Sequence, residues 1–167
     1  EQEIFIEIKE DVKANILVLR KLLVEIPEIG KWFDTDKRIC ITLHPKDKSL
    51  LPSFLEIVRD RVPDKLLADF DVVVSSAAID ILPIGINKAA GLKFSLKYYA
   101  GRILLGNILG IGDSNNDVPF LEIVGLPCCP SNANDRVKEV VKRRGGYIAA
   151  KPYTEGVSEI LDKQVNE

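Results

Sequence analysis

A short apolar segment that runs directly into a cluster of carboxylates and amides constrains this chain more than any other feature. Residues 108–111 (ILGI) predict a buried parallel strand, and residues 120–124 (FLEIV) predict a helix. The loop between them, 112–119 (GDSNNDVP), therefore lies where a strand ends. In open α/β sheets the ligand crevice lies outside the carboxyl ends of the strands. Side-chain oxygens placed there can meet a cation and a phosphate together.

The same loop also admits a structural interpretation, because Asp and Asn are common turn residues. Asp117 could simply N-cap the following helix, whose first turn would hold Pro119 and Glu122. Neither a calcium loop nor a dinucleotide-binding loop fits, because the chain lacks a glycine that each of them requires at a fixed position. Taken alone, the loop leaves a ligand site and an ordinary turn both open.

The composition is that of a folded protein, with 46% hydrophobic residues and a formal charge of −2 over 167 residues. Acidic and basic residues are interleaved except at 142–144 (KRR), which we expect at a helix C-terminus, where cations favour the helix dipole. Nucleic-acid binding is therefore not expected. No apolar stretch reaches the roughly 18–20 residues that span a bilayer, and no secretory leader opens the chain. We expect no membrane contact and a cytoplasmic location.

The cysteines and the first residue add two further expectations. Cys40, Cys128 and Cys129 are odd in number and lack the spacing of a zinc or redox site, so we expect reduced, mostly buried thiols. The chain opens on Glu1 and contains no methionine, so we expect that it begins in mid-protein.

The single histidine, His44, directly follows a predicted strand. It could be a substrate contact or an acid–base group, since its unperturbed pKa lies near neutrality. Because the sequence shows no partner for it, an ordinary strand-end histidine is the favoured interpretation.

The residue pattern changes after Pro83, which predicts two lobes, 1–83 and 84–167. The first lobe is expected to be α+β, with helices on one face of an antiparallel sheet. Its elements are expected as strand 4–8, helix 11–23 with Asp11 as N-cap, strand 38–43, helix 49–62, and a hairpin of strands 71–75 and 78–82. The second lobe alternates as a parallel, doubly wound α/β sheet does. Its elements are expected as a helix ending near Tyr99, strand 107–112, helix 118–124, strand 126–129, helix 134–144, strand 147–150 and helix 154–163.

Three segments of the second lobe together resemble a known family: 85–88 (GINK), 112–117 (GDSNND) and 131–133 (SNA). The set is similar to the C-terminal half of a haloacid dehalogenase-superfamily phosphatase, which has a Rossmann-like parallel sheet core. More narrowly it resembles the Cof-type, class IIB sugar-phosphate phosphatases, which include sucrose-phosphate, mannosyl-3-phosphoglycerate and archaeal phosphoglycolate phosphatases. In that family an α+β cap precedes the third catalytic motif. Residues 1–83 have the size and element order of a short version of that cap.

The resemblance implies roles for five residues. Lys88 would hold the transferring phosphoryl oxygens and steady a nucleophilic carboxylate. Asp113 would bind Mg²⁺ directly, and Asp117 would be a second ligand or a partner behind the first. Asn116 would position the phosphate or the carboxylates, and Asn132 would contact the substrate at the rim. Mg²⁺ suits such a site because it prefers oxygen ligands in octahedral array and keeps several waters.

Lys88 also has a structural interpretation, as a solvated lysine in the first turn of a helix capped by Asn87. A cation in that turn opposes the helix dipole by roughly 0.3–1 kcal/mol. The placement therefore favours a functional reason.

This chain departs from the family in one large respect. The family's first motif, D-x-D-G-T, supplies the nucleophilic and acid–base aspartates, and its second supplies a Ser or Thr for the phosphate. Neither has a match here, since 34–36 (DTD) lacks an apolar strand before it and a glycine after it. Both motifs would lie before Glu1. The resemblance thus implies a missing N-terminal section.

Three hypotheses follow from these observations. The first is a magnesium-dependent phosphatase that hydrolyses a small phosphorylated metabolite through an aspartyl-phosphate and is completed by the missing segment. The metabolite would be a sugar phosphate, phosphoglycolate or a phosphoglycerate derivative, and the chain alone would be inactive. The second is a non-catalytic metal- and phosphate-binding module that acts by interaction. The third is a structural α/β domain with a chance match, which would bind no Mg²⁺.

Overall fold

The computed structural model describes residues 8–34, 37–99 and 102–165. The chain divides into two compact units, Glu1–Ile86 and Asn87–Glu167. Each unit has its own sheet.

The first unit is an α+β unit built on a three-stranded antiparallel sheet. Its helices are α1 (Glu10–Val24), α2 (Leu51–Arg61) and α3 (Asp64–Leu67), and its strands are β1 (Ile41–Leu43), β2 (Phe70–Val74) and β3 (Ile79–Pro83). Short 3₁₀ turns occupy Gly30–Trp32 and Lys48–Leu50. The strand order is β1-β3-β2, and β2 and β3 form the predicted hairpin.

Alternation along the strands separates an apolar face from a polar face. Inward side chains of β1 and β3 pack against the buried faces of α1 and α2 to form one hydrophobic core; its members include Ile41, Leu43, Ile79, Ile81, Leu19, Leu23, Phe54 and Val58. On the other face, the Thr42 hydroxyl donates to Asp80 Oδ1 at 2.6 Å and accepts from Lys37 Nζ at 2.8 Å. Thr42 is fully buried, so these bonds satisfy its hydroxyl without water.

Three details of the first unit differ most from the sequence prediction, and the bounds of helix 49–62 and of the hairpin strands differ by one or two residues. The predicted strand 4–8 lies outside the described residues apart from Ile8. Helix α1 begins one residue before Asp11, which accepts a bond from Val12 N and is not the N-cap. Strand 38–43 is shortened because the Arg20 guanidinium bonds the carbonyls of Lys37 and Cys40. Helix α3 was not predicted, because Pro63 looked like a terminator and instead directly precedes a new helix.

The outer edge of β1 is covered by the chain itself. Phe33 and Leu43 form an antiparallel bridge, flanked by hydrogen bonds from His44 N to Trp32 O and from Asp34 N to Thr42 O. His44 therefore contributes its backbone to this edge, while its side chain is exposed. A covered edge resists pairing with other chains.

The second unit is a parallel α/β unit, as the sequence predicted. Its helices are α4 (Lys88–Tyr99), α5 (Val118–Leu121), α6 (Asp135–Arg143) and α7 (Tyr153–Val165), and its strands are β4 (Leu109–Ile111), β5 (Leu126–Cys129) and β6 (Tyr147–Ile148). The strands lie in the order β4-β5-β6, all parallel. Helix α6 packs against β5 and α5, and α7 places Ile160 against Cys128 and Ala149.

Two of the three strands of this unit are shorter than predicted, whereas β5 has the predicted bounds, 126–129. Before β4, residues Leu105–Asn107 form a 3₁₀ turn, and the Leu105 carbonyl accepts from Gly125 N at 2.8 Å. The strand therefore starts later than predicted, although the Ile108 carbonyl still accepts from Leu126 N at 3.1 Å. No helix of the described residues is both long and apolar enough to cross a bilayer.

The thiols provide a test of this fold. Cys128 and Cys129 are fully buried and Cys40 is half-buried. Burial raises the pKa of all three, that of Cys129 to about 11. At pH 8, Cys40 should react first with an aromatic disulfide reagent, and the other two should react roughly 100-fold more slowly, after unfolding. Cys40→Ser is the control, and rapid reaction of that variant in the native state would contradict the fold.

Candidate functional site

The loop after β4 is folded around the carboxylate of Asp117. The Oδ2 atom accepts three hydrogen bonds, from Asp113 N (3.0 Å), Ser114 N (2.9 Å) and Ser114 Oγ (3.0 Å). Ser114 and Asp117 thus form a capping box over the 3₁₀ turn Asn115–Asp117. The Asp117 side chain points back into the loop and makes no cap bond to α5. The alternative in which it caps the following helix is therefore wrong.

Gly112 makes this fold-back possible. A Cβ atom at this position would lie 2.4 Å from Asp117 Cβ, a distance that real side chains do not tolerate. The glycine of the loop is thus required for close approach to the carboxylate.

Lys88 reaches the same carboxylate from another element. It is the first residue of α4, and Asn87 caps that helix by accepting from Ala90 N at 3.0 Å, as the sequence predicted. The Lys88 ammonium donates to Asp117 Oδ1 and forms an ion pair. The Lys88 side chain is 56% exposed, whereas that of Asp117 is 6% exposed. The Lys88 side chain is therefore accessible from solvent, while the carboxylate that it pairs with is enclosed.

The electrostatics of Asp117 follow from these contacts. Burial alone would raise the pKa of its carboxyl, but the bonds from Lys88, Ser114 and Asp113 outweigh burial and hold that pKa below its usual range. Asp117 is therefore a stable anion at neutral pH.

Asp113 and Asn116 are the remaining polar residues of the loop that the sequence singled out. The Asp113 side chain is exposed, and its carbonyl accepts from Asn134 N at 3.0 Å. Asn116 is half-buried. The described residues contain no group of three or more His, Cys, Asp or Glu side chains that would enclose a metal. An exposed carboxylate of this kind fits Mg²⁺, which usually keeps several waters and needs only one or two protein carboxylates as ligands. It does not fit a cation that is enclosed by protein ligands on all sides.

Asn132 lies on a neighbouring loop. Its Oδ1 accepts from Tyr153 N at 2.6 Å. Tyr153 and Asp113 line one depression of about 270 Å³ at the carboxyl ends of the strands, together with Ile111, Pro130, Thr154 and Val157.

Sequence reasoning missed two residues that organise these loops. Ser114 supplies two of the three bonds to Asp117 Oδ2, and the S-x-x-D spacing was a signal that could have identified it. Asn134 caps α6 by accepting from Val137 N, and its side-chain nitrogen donates to Asn115 Oδ1 at 3.1 Å. This second bond joins two loops 19 residues apart, and no local pattern signals it.

A parallel α/β sheet with acidic and amide side chains at its carboxyl edge defines a ligand-binding domain of the doubly wound class. The chain belongs to the haloacid dehalogenase-like hydrolases, whose family model matches residues 26–161.

Individual relatives agree with this assignment. A phosphoglycolate phosphatase of Methanothrix thermoacetophila is 34% identical over 155 residues, which cover 93% of this chain and 67% of that protein. Two crystal structures share the fold: a Thermoplasma acidophilum protein (TM-score 0.64, 21% identity, 87% of this chain and 60% of that one) and the sucrose-phosphatase of Synechocystis (TM-score 0.62, 16% identity, 92% and 64%). The chain thus spans about two thirds of the length of these proteins.

The two aspartates of the loop should differ sharply in their effect on stability. Asp117→Asn removes an enclosed anion that receives four bonds, so we expect a loss of about 2–3 kcal/mol in the free energy of unfolding. Asp113→Asn changes an exposed side chain and should cost less than about 0.5 kcal/mol. Urea unfolding of both variants measures the difference, and equal losses would contradict the described loop.

The contribution of Asp117 should also depend on pH. Because its folded-state pKa is depressed, the stabilisation is fully present above the unfolded-state value of about 3.9 and is lost as pH falls through the folded-state value. The stability difference between the parent and Asp117→Asn should therefore be constant from about pH 5 to 8 and shrink below about pH 4. A difference that grows on acidification would show that this carboxylate is not the stabilising anion.

Proposed function

We propose that the chain is the phosphate-binding part of a magnesium-dependent phosphomonoesterase that acts on a small phosphorylated metabolite. The observation that carries this proposal is the Lys88 ammonium, held by the enclosed Asp117 beside the exposed Asp113 at the end of β4. The substrate class is a sugar phosphate, phosphoglycolate or a phosphoglycerate derivative. The relatives named as phosphoglycolate phosphatase and sucrose-phosphatase support that range.

The charges of the cluster explain the need for a divalent cation. One ammonium and two carboxylates leave a net negative charge, which would repel a phosphate dianion. In this proposal Asp117 and Asn116 are not direct ligands of the cation. Asp117 fixes Lys88, and Asn116 positions the phosphate or the carboxylates. Asp113 is the residue that would hold Mg²⁺. When bound, Mg²⁺ reverses the sign of the local charge and stabilises the phosphoryl oxygens.

Lys88 would bind the transferring phosphoryl group directly. Its ammonium is anchored on one side by Asp117, so it can donate its remaining protons to phosphoryl oxygens without losing its position. A preorganised donor stabilises charge that develops in the transition state because it need not reorient during the reaction.

We further propose that the nucleophile comes from a segment outside these 167 residues. The sequence contains no D-x-D-G-T motif. Within the described residues, β4 pairs with β5 on one side only, so its other edge can accept a further parallel strand. An aspartate at the end of such a strand would lie next to the loop of Asp113. Its carboxylate would bond to phosphorus in line as the bond from phosphorus to the ester oxygen breaks, and the second aspartate of the motif would protonate the leaving alkoxide. Water would then cleave the acyl phosphate and release phosphate.

The first unit is the proposed substrate-selecting cap, with the predicted lobe boundary near Pro83. Its one-sided antiparallel sheet supports this assignment, since the family inserts such a lobe before its third motif. In this proposal the protein binds a small phosphorylated metabolite as its substrate and does not bind a nucleic acid or a membrane. The three free thiols support the predicted cytoplasmic location.

The alternative is a non-catalytic module that binds metal and phosphate and acts by interaction. Such a module would have lost the nucleophile that a D-x-D-G-T motif supplies, and this motif is not in the 167 residues. Extending the coding sequence upstream separates the two, because only the enzyme requires that motif there.

Activity provides the main test. Residues 1–167 alone should release no phosphate from 4-nitrophenyl phosphate with saturating Mg²⁺, because an acceptor and a proton donor are both missing. The longer protein that contains this chain should hydrolyse 4-nitrophenyl phosphate. Its Lys88→Met variant should have a kcat/KM lower by about 100-fold or more. Turnover by residues 1–167 that Asp113→Asn abolishes would show that another carboxylate of this chain is the nucleophile.

Magnesium binding provides a test without turnover. Asp113→Asn should weaken Mg²⁺ binding by about tenfold or more in calorimetric titrations, because it removes the proposed direct ligand. Asp117→Asn should weaken it less, because both oxygens of Asp117 already accept bonds from the protein. The reverse order would assign the direct ligand to Asp117.

A further inference from the structure

Tyr153 has a backbone conformation that its side chain disfavours. Its φ is +49°, and it is the single non-glycine residue of the described ranges with a positive value. Bulky side chains rarely adopt this region, and such outliers concentrate at functional sites, where the surrounding structure holds them in place.

The surrounding structure holds this turn from several sides. Asn132 Oδ1 accepts from Tyr153 N, and the Lys151 carbonyl accepts from Ser131 N at 3.0 Å. The Glu159 carboxylate accepts from Lys151 N at 3.1 Å and from Ala150 N at 2.8 Å. The conformation at Tyr153 is thus imposed by its neighbours.

Burial of the Tyr153 side chain stabilises the fold little. The Tyr153 residue is 71% exposed, so the ring contributes little burial to offset its backbone cost. Glycine would adopt the same φ without strain. Stability alone would therefore favour glycine over tyrosine at this position.

The location of the ring supplies a reason for it. Tyr153 and Asp113 line the same depression of about 270 Å³, and both belong to the second unit. Because Asp113 lines this depression, a phosphate ester held at Asp113 and Lys88 would place its organic part within the depression, near Tyr153. An aromatic ring binds a carbon skeleton through its face while leaving its polar tip in water.

We propose that Tyr153 is a substrate-binding residue that contacts the organic part of the phosphate ester, and that Asn132 positions Tyr153. This inference rests on the proposed phosphatase function. It gives Asn132 an indirect role, because its Oδ1 is engaged by the Tyr153 backbone.

Steady-state kinetics of the longer protein that contains this chain test the proposal, with Mg²⁺ and 4-nitrophenyl phosphate, whose organic part is an aromatic ring that can pack on tyrosine. Tyr153→Gly keeps the backbone conformation and deletes the ring, so KM should rise by about tenfold while kcat stays within about threefold. Inorganic phosphate has no organic part, so its inhibition constant should change by less than about twofold. Tyr153→Phe is the matched control and should keep the parent KM.

A double-mutant cycle tests the role of Asn132. Asn132→Ala should raise KM in the same direction, and combining it with Tyr153→Gly should add nothing to the effect of Tyr153→Gly alone. Additive effects would overturn the positioning role. Thermal unfolding should show that Tyr153→Gly is at least as stable as the parent, which separates a lost contact from a damaged fold.

The outcomes separate this inference from the proposed function. If the parent is active, Asp113→Asn is inactive and Tyr153→Gly keeps its KM, the role of Tyr153 is overturned and the phosphatase proposal stands. If the parent shows no Mg²⁺-dependent phosphate release, the proposed function is overturned and this inference falls with it.

Discussion

The carboxylate of Asp117 is the interaction on which the second unit depends. Its two oxygens are divided between the loop, which donates three hydrogen bonds to Oδ2, and Lys88, which donates to Oδ1. A charge-assisted bond to an enclosed group contributes about 1.5–3 kcal/mol, and bonds that share one carboxylate do not add. A single side chain therefore fixes the loop after β4 and the first turn of α4, which lie 29 residues apart in sequence. The Lys88 side chain remains accessible from solvent in spite of this anchoring.

Much of the fold was predictable because the hydrophobic period is strong where elements are amphipathic. Helix α6 differs from its prediction by one residue at each end, since Asn134 caps it and valines repeat on its buried face. Strand boundaries were less predictable. The predicted strand 38–43 shrinks because Arg20, from a helix 20 residues away, bonds carbonyls that a ladder would otherwise use. Such a competitor is invisible to any local pattern.

In the site, too, local sequence predicted which residues are present, whereas distant contacts decide how their side chains are oriented. The motif indicated Lys88, Asp113 and Asp117, but not which way the Asp117 side chain points. Forward capping and backward folding are both local options for an aspartate at that position. The choice depends on the distant Lys88 and on the space left by Gly112. The strained turn at Tyr153 was equally hidden, because tyrosine is not one of the residue types that favour a left-handed conformation.

The two sheets differ in how their edges end. In the first unit the backbone of Phe33 covers the outer edge of β1. In the second unit, among the described residues, β4 is bonded on one side only. Backbone hydrogen bonds require no covalent continuity between the strands they join. The second unit is therefore suited to fragment complementation: a separately expressed polypeptide that supplies the strand proposed to flank β4 would be expected to assemble with a polypeptide that contains β4 into one sheet.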